Sequence, residues 1–235
     1  ANDWDYIKDV DSIKNLKSLK VLGGEPTVEK KVFAMLDLIQ EKDLAKNINL
    51  QYTTNATNLN KAFYQRLKGY KNVTTTFSLD GTGKTYEYIR TPAKWDSVYK
   101  NLQGYIDFRK EYDVTGNKYG CSINNVVSVF NTLSIKDWYE ELNDILFSLG
   151  GTRISMIYCT NEWQAIDILP KFALHEIKDQ FDNLPQRIKD LDHSKIYESL
   201  INRAIKEEYN DEKARLLSTF FCLLYTSPSP RDSRR

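Results

Sequence analysis

The sequence predicts an α/β fold with parallel strands. Short runs with apolar or β-branched residues at every second position alternate with longer segments whose apolar residues recur at three- and four-residue steps. The strand runs also end in turn-forming or polar tips, at Gly23-Gly24, Asn55 and Asp80-Gly81. Strand-helix alternation of this kind implies right-handed crossovers between parallel strands. It suits either a closed barrel or an open doubly wound sheet, and periodicity does not separate the two.

In chain order, Asp5 to Leu16 reads as an amphipathic helix and Ser18 to Leu22 as the first visible strand. Thr27 to Lys46 is a helix on the spacing of Val32, Met35, Leu36 and Ile39. Asn49 to Thr54 alternates as a strand, and Leu59 to Leu67 is a short helix capped by Asn58. Val73 to Leu79 is a strand rich in β-branched residues. Lys94 to Tyr112 is a helix carrying Trp95, Val98, Leu102, Tyr105 and Ile106, and Gly120 to Phe130 is an apolar strand. Ser134 to Leu149 is a helix, with Ser134 as N-cap, Asp137 near its positive end and Gly150-Gly151 ending it. Arg153 to Cys159 is a fifth strand, and Phe172 to Leu184 and His193 to Tyr209 are helical.

Composition narrows the class. A length of 235 residues, 41% hydrophobic and 28% charged, is that of a globular chain able to bury a core. Lys plus Arg is 33 against 32 for Asp plus Glu, so no basic excess points to nucleic acid. No apolar run approaches membrane-spanning length. Three scattered cysteines are not a disulfide scaffold, and a reducing cytoplasm is the expected location.

The chain is organised around Gly23, Gly24, Glu25 and Pro26. Two glycines let the backbone turn sharply and let a ligand approach it closely. A carboxylate beside them accepts hydrogen bonds from an ammonium group. The ordinary alternative is a plain βα turn. Gly81-Thr82-Gly83-Lys84-Thr85 looks like the end of a phosphate-binding loop, but Ser78 stands where that pattern needs its first glycine. Asn124 and Asn125 interrupt an apolar strand, and buried amides need partners. One of the pair is expected to face a ligand and the other a backbone. His175 and His193 lie on late helices and read as surface or helix-stabilising residues.

Gly23-Gly24-Glu25-Pro26 resembles the GGEP motif of the radical S-adenosylmethionine enzymes. Thr53-Thr54-Asn55-Ala56 resembles their TTNG. Phe77-Ser78-Leu79-Asp80-Gly81 with Tyr86-Glu87-Tyr88-Ile89-Arg90 resembles the "SxDG…R" segment of the branch with SPASM or twitch extensions. The resemblance covers roughly residues 3 to 160. It implies a partial (β/α)6 TIM-like barrel, here without its first strand and cluster loop, whose site lies on loops at the C-terminal strand ends. It implies S-adenosylmethionine as cofactor, with Gly23, Gly24, Glu25 and Pro26 around the methionine amino group and Arg90 on the carboxylate. Thr54, Asn55, Ser78 and Asp80 then lie near the ribose, and Asn124 faces the ligand. Ile157 and Tyr158 end the strand where the adenine lies in the family. The ordinary readings are a turn cap for Asp80, an ion pair with Glu87 for Arg90, and core packing for Ile157 and Tyr158. In the family a 4Fe-4S cluster cleaves the sulfonium reductively, and a 5′-deoxyadenosyl radical abstracts hydrogen from a substrate. A small-molecule or peptide substrate and an electron donor such as flavodoxin or ferredoxin follow as partners. No residue of this chain is expected to be catalytic in its own right.

The departure from the family is its CxxxCxxC cluster motif, which belongs before Gly23; the cysteines here are Cys121, Cys159 and Cys222. No metal ligands are therefore assigned. The expectation is a fragment, inactive alone, with residues 1–221 as a partial barrel with C-terminal helices. Residues 222–235 resemble translated adapter read-through and read as a non-native disordered tail. The alternative is a (β/α) module that binds a ligand or peptide without a cluster.

Overall fold

Five strands, in the computed structural model of the chain, form one parallel sheet in the order β1-β2-β3-β4-β5. The structure describes residues 13–113, 118–148, 153–161, 164–190 and 195–226. The strands are β1 (Ser18–Val21), β2 (Asn49–Thr54), β3 (Asn72–Ser78), β4 (Tyr119–Val127) and β5 (Arg153–Tyr158). Thr54 lies opposite Phe77, and Ser78 opposite Asn124. Spatial order equals chain order, so every crossover steps the same way. A doubly wound sheet reverses direction at a switch point, whereas barrel winding does not. The strand order therefore decides between the two architectures that the sequence left open, in favour of a partial TIM-like (β/α) fold.

The chain divides into two compact units, residues 1–125 with 140–155 and residues 126–139 with 156–235. In the first unit the helices are α1 (Lys30–Glu41), α2 (Lys61–Leu67), α3 (Gly83–Ile89) and α4 (Trp95–Tyr112). Of these, α2 and α4 pack on one face of the sheet. Phe63 of α2 meets Tyr52 edge-on at 5.2 Å, and Tyr105 of α4 meets Phe77 at 5.2 Å and the Thr75 hydroxyl at 2.7 Å. Tyr64 and Phe108 stack at 4.9 Å. The other face carries Gln51, Thr53, Thr76, Ser78, Ser122 and Asn124, none of them buried. This polar alternation is the strand period of two seen from its other side.

Several boundaries differ from the sequence reading. Helix α1 begins at Lys30, not Thr27, because Pro26 sits in a tight turn closed by Val28 N–H on Glu25 O at 3.2 Å, and Glu29 caps the helix. It ends at Glu41, short of Lys46, where Asp43 adopts a positive φ of 55°. Asn60, not Asn58, caps α2, accepting from Phe63 N–H at 3.0 Å. Helix α3 was not expected. Its start depends on Gly81, where an added Cβ would lie 2.9 Å from Thr85 Cγ2 and 3.0 Å from Tyr86 N.

Helix α5 (Ile135–Ser148) spans both units, and the second unit adds α6 (Lys171–Asp182), α7 (Gln186–Lys189), α8 (Ile196–Lys206) and α9 (Asp211–Thr226). Strand β4 stops at Val127 because Asn131 Oδ1 takes the Ser128 N–H at 2.8 Å and starts a turn. Ser134 lies in a 3-10 turn just before α5, and its hydroxyl donates to Asn131 O at 3.2 Å. Lys171 donates its ammonium to the carbonyls of Ala204 and Ile205 at 2.9 and 2.6 Å, closing the C-terminal end of α8. Helix α9 carries residues 222–226 in helical backbone, where a tail without helical period was expected. Residues 227–235, the main part of the expected helix 5–16, Gly150-Gly151 and His193 lie outside the described residues. His175 is exposed on α6. No helix of the described residues is long and apolar enough to cross a membrane.

Candidate functional site

The loops after β1, β2 and β3 all belong to the first unit. Gly23 and Gly24 hold φ of +82° and +56°, and a Cβ on either would meet open space. Glycine is required here by backbone conformation, not by crowding. Together with Leu22, Glu29 and Lys31 they line a groove of about 380 Å³.

Glu25 is half-buried behind this turn and is held by four donors. Its Oε1 accepts from Thr27 N at 3.2 Å, Thr27 Oγ1 at 2.6 Å and Thr54 Oγ1 at 2.7 Å, and its Oε2 accepts from Asn55 N at 2.8 Å. A carboxylate offers about four lone-pair directions, two per oxygen. Oε1 is saturated, while Oε2 keeps one direction for a further donor.

The loop after β2 is fixed from several sides. Thr54 Oγ1 accepts from Ala56 N at 3.0 Å, Asn55 Oδ1 accepts from Thr57 N and Oγ1 at 2.9 and 2.6 Å, and Tyr86 OH donates to Asn55 O at 3.2 Å. Asn101 Nδ2 donates to the carbonyls of Ala56 and Thr57 at 2.8 and 3.0 Å. Ala56 is fully buried with φ +62°. A left-handed conformation costs an L-residue about 1–2 kcal/mol, which these bonds offset.

In the loop after β3, Asp80 is buried and pairs with the Arg90 guanidinium. Arg90 is about a third exposed. Its expected ordinary partner, Glu87, instead pairs with Lys94 at 3.0 Å. Burial pushes the Tyr86 phenol above its usual range; Arg90 pulls it back, and Asp80 and Glu25 push it further up. Tyr86 thus lies within electrostatic reach of all three charged residues.

Several residues predicted to bind the cofactor have other tasks. Thr54 is only 1% exposed, and its hydroxyl serves Glu25 and Ala56, so it orients the carboxylate. Pro26 is buried in the turn and shapes it. Asn55 uses its Oδ1 within its own loop. Ser78 and Asn124 lie side by side on the polar face of the sheet. Asn125 is fully buried and donates to Leu79 O at 3.1 Å, so of this pair it is the one that faces a backbone. In the second unit Ile157 is exposed, and Arg203 covers the Tyr158 ring at 4.4 Å.

Thr27, Tyr86 and Asn101 were not singled out from the sequence. The available signal was for Tyr86, which precedes Arg90 by one helical step of four and so shares its face.

Among the described residues no group of three His, Cys, Asp or Glu could hold a metal. Cys121 is half-buried with Arg109 Nη at 3.7 Å, and Cys159 is buried in the other unit. These cysteines do not fit an iron–sulfur cluster. Glu25 and the open glycine turn do fit the amino-acid end of S-adenosylmethionine, which needs a carboxylate acceptor and a close backbone.

No protein-family model matches the chain, and no curated protein matches it. Solved structures do. Streptococcus suis SuiB bound to S-adenosylmethionine is similar at 20% identity and TM-score 0.46, over 71% of this chain and 36% of SuiB. SuiB bound to precursor peptide SuiA is similar at 19% identity and TM-score 0.47, over 71% and 35%. Native anSMEcpe with bound AdoMet gives 19% and 0.46, over 71% and 45%. Both proteins are radical S-adenosylmethionine enzymes. The chain spans less than half the length of each. At these values the similarities say nothing about what this chain binds.

Proposed function

We propose that this chain is the S-adenosylmethionine-binding part of a radical S-adenosylmethionine enzyme of the SPASM or twitch-like branch. One observation carries the reading: a carboxylate on a GGEP turn, held by four protein donors, keeps one acceptor direction on Oε2. Glu25 takes the ligand's ammonium there, Gly23 and Gly24 admit its backbone-like end, and Arg90 takes its carboxylate while still paired with Asp80. A guanidinium can serve both because it has five donors in a fixed fork. Ser78 and Asn124 present a hydroxyl and an amide on the same side for the ribose. Bound S-adenosylmethionine supplies a sulfonium whose reductive cleavage drives hydrogen abstraction from a small molecule or peptide. The sequence carries no CxxxCxxC motif for the cluster, and a flavodoxin or ferredoxin in the cytoplasm would supply the electron.

A second reading, ligand binding without a cluster, is favoured by that same lack of a CxxxCxxC motif. Coding sequence upstream of Ala1 separates the two: three closely spaced cysteines in frame support the enzyme, and a start codon without them supports the module. The binding claim itself is tested by titrating the full chain with S-adenosylmethionine by calorimetry or NMR. Affinity is expected to be on the order of millimolar, and Arg90→Met is expected to weaken it by roughly tenfold, one charged hydrogen bond's worth. Asp37→Asn, whose carboxylate pairs with Arg66 at 2.8 Å, is expected to leave it unchanged. Equal affinity in all three proteins removes the assignment.

A further inference from the structure

Tyr86 joins the two ends of the site. It is fully buried, with its ring against Trp95 at 5.2 Å. Its hydroxyl donates to Asn55 O at 3.2 Å, and Asn55 N donates in turn to Glu25 Oε2 at 2.8 Å. The peptide units on both sides of the Asn55 Cα are thereby fixed. At its other end, Tyr86 O accepts from Arg90 N at 2.8 Å, where α3 stops and the Arg90 side chain turns toward Asp80. One residue therefore contacts the loop that holds the carboxylate and the helix end that carries the guanidinium.

We infer that Tyr86 is a positioning residue that sets the spacing between the Glu25 carboxylate and the Arg90 guanidinium, so that one α-amino acid head group meets both. The inference rests on the reading that this site takes the amino-acid end of S-adenosylmethionine. It adds that the hydroxyl of Tyr86, which meets no part of the ligand, governs recognition of that end alone. Tyr86→Phe keeps the ring packing on Trp95 and removes only the donor to Asn55.

The test titrates the full chain, wild type, Tyr86→Phe and Glu25→Gln, with S-adenosylmethionine and with 5′-methylthioadenosine, which lacks the head group. Tyr86→Phe is expected to weaken S-adenosylmethionine by about five- to tenfold, the loss of one aligned hydrogen bond. The affinity for 5′-methylthioadenosine is expected to stay within about twofold. Without ligand, hydrogen exchange at the Asn55 amide is expected to quicken by roughly fivefold or more, since its loop has lost a tether. Equal weakening of both ligands means that Tyr86 only supports the fold, and overturns the inference. So does an unchanged S-adenosylmethionine affinity in Tyr86→Phe while Glu25→Gln loses binding; the underlying reading then survives. A wild type that binds both ligands alike, or neither, overturns the reading and the inference with it.

Discussion

Beneath the sheet of the first unit, Tyr52, Phe63, Tyr64, Tyr105 and Phe108 pack ring on ring. At the ends of its strands, Glu25, Asn55 and Tyr86 are joined through single hydrogen bonds. The first region is held by area: aromatic side chains bury large surfaces without strict geometry. The second is held by direction, and each donor there has one acceptor. The first should fail gradually and only under general stress, the second through the loss of one group.

General stress comes first because its effect is largest. Burial pushes the phenols of Tyr52, Tyr64, Tyr70 and Tyr105 well above the ordinary value of 10.0, and that of Tyr119 to about 12. In the unfolded chain these groups ionise near 10, while the folded chain retains their protons. The stability they contribute is therefore complete below pH 10 and is lost as pH rises through the folded values. Urea midpoints measured from pH 8 to 11.5 are expected to hold to about pH 10 and then fall steeply, with the share of phenolate absorption that belongs to these buried tyrosines appearing only together with unfolding. Ionisation of all fifteen tyrosines of the chain while it is still folded would show that the aromatic layer is open to water.

Glu25→Ala tests the directed region. It leaves Thr27 N, Thr27 Oγ1, Thr54 Oγ1 and Asn55 N without their acceptor. Half-exposure lets water take some of them, so a loss of about 2–3 kcal/mol is expected, or roughly 4–12 °C in melting temperature. A loss within experimental error would mean that the four donors are as well served by solvent. Arg90→Met comes next. It strips buried Asp80 of its guanidinium, but Arg90 is about a third exposed, so solvent screening reduces the cost to about 1–2 kcal/mol. A loss larger than that of Glu25→Ala would reverse the ranking of the two ends of the site.

The smallest expected effect has the opposite sign. Ala56→Gly relieves a left-handed backbone at φ +62°. It is expected to stabilise the chain by up to about 1 kcal/mol, the strain released less the entropy glycine adds to the unfolded state. A drop in melting temperature would show that packing of the buried Ala56 methyl outweighs its backbone strain.

The contrast also explains what the sequence made legible. Strands and long helices were readable because Val73, Thr75 and Phe77, or Val32, Met35, Leu36 and Ile39, repeat with the period of their element. The winding was not, since a barrel and a doubly wound sheet share those periods; only the strand order separates them. Gly23, Gly24 and Glu25 stood out as a turn with an acid. That Thr54 would turn its hydroxyl to Glu25 was not legible, because one strand residue is assigned to a face only by register. Helix α3 is seven residues long, too short for a period to emerge, and Tyr86 was hidden with it. Position 56 was visible as an alanine where the resembling motif has glycine, but its strain appears only in the backbone.

The central claim is that Glu25 Oε2 meets the ammonium of an amino-acid head group. It is tested most directly by a cycle that changes both partners: wild type and Glu25→Gln, each titrated with S-adenosylmethionine and with its analogue lacking the α-amino group. The account predicts that Glu25→Gln weakens S-adenosylmethionine by roughly ten- to hundredfold and leaves the deaminated analogue nearly unchanged, because a charged hydrogen bond contributes about 1.5–3 kcal/mol. Equal weakening of both ligands, or of neither, would contradict it.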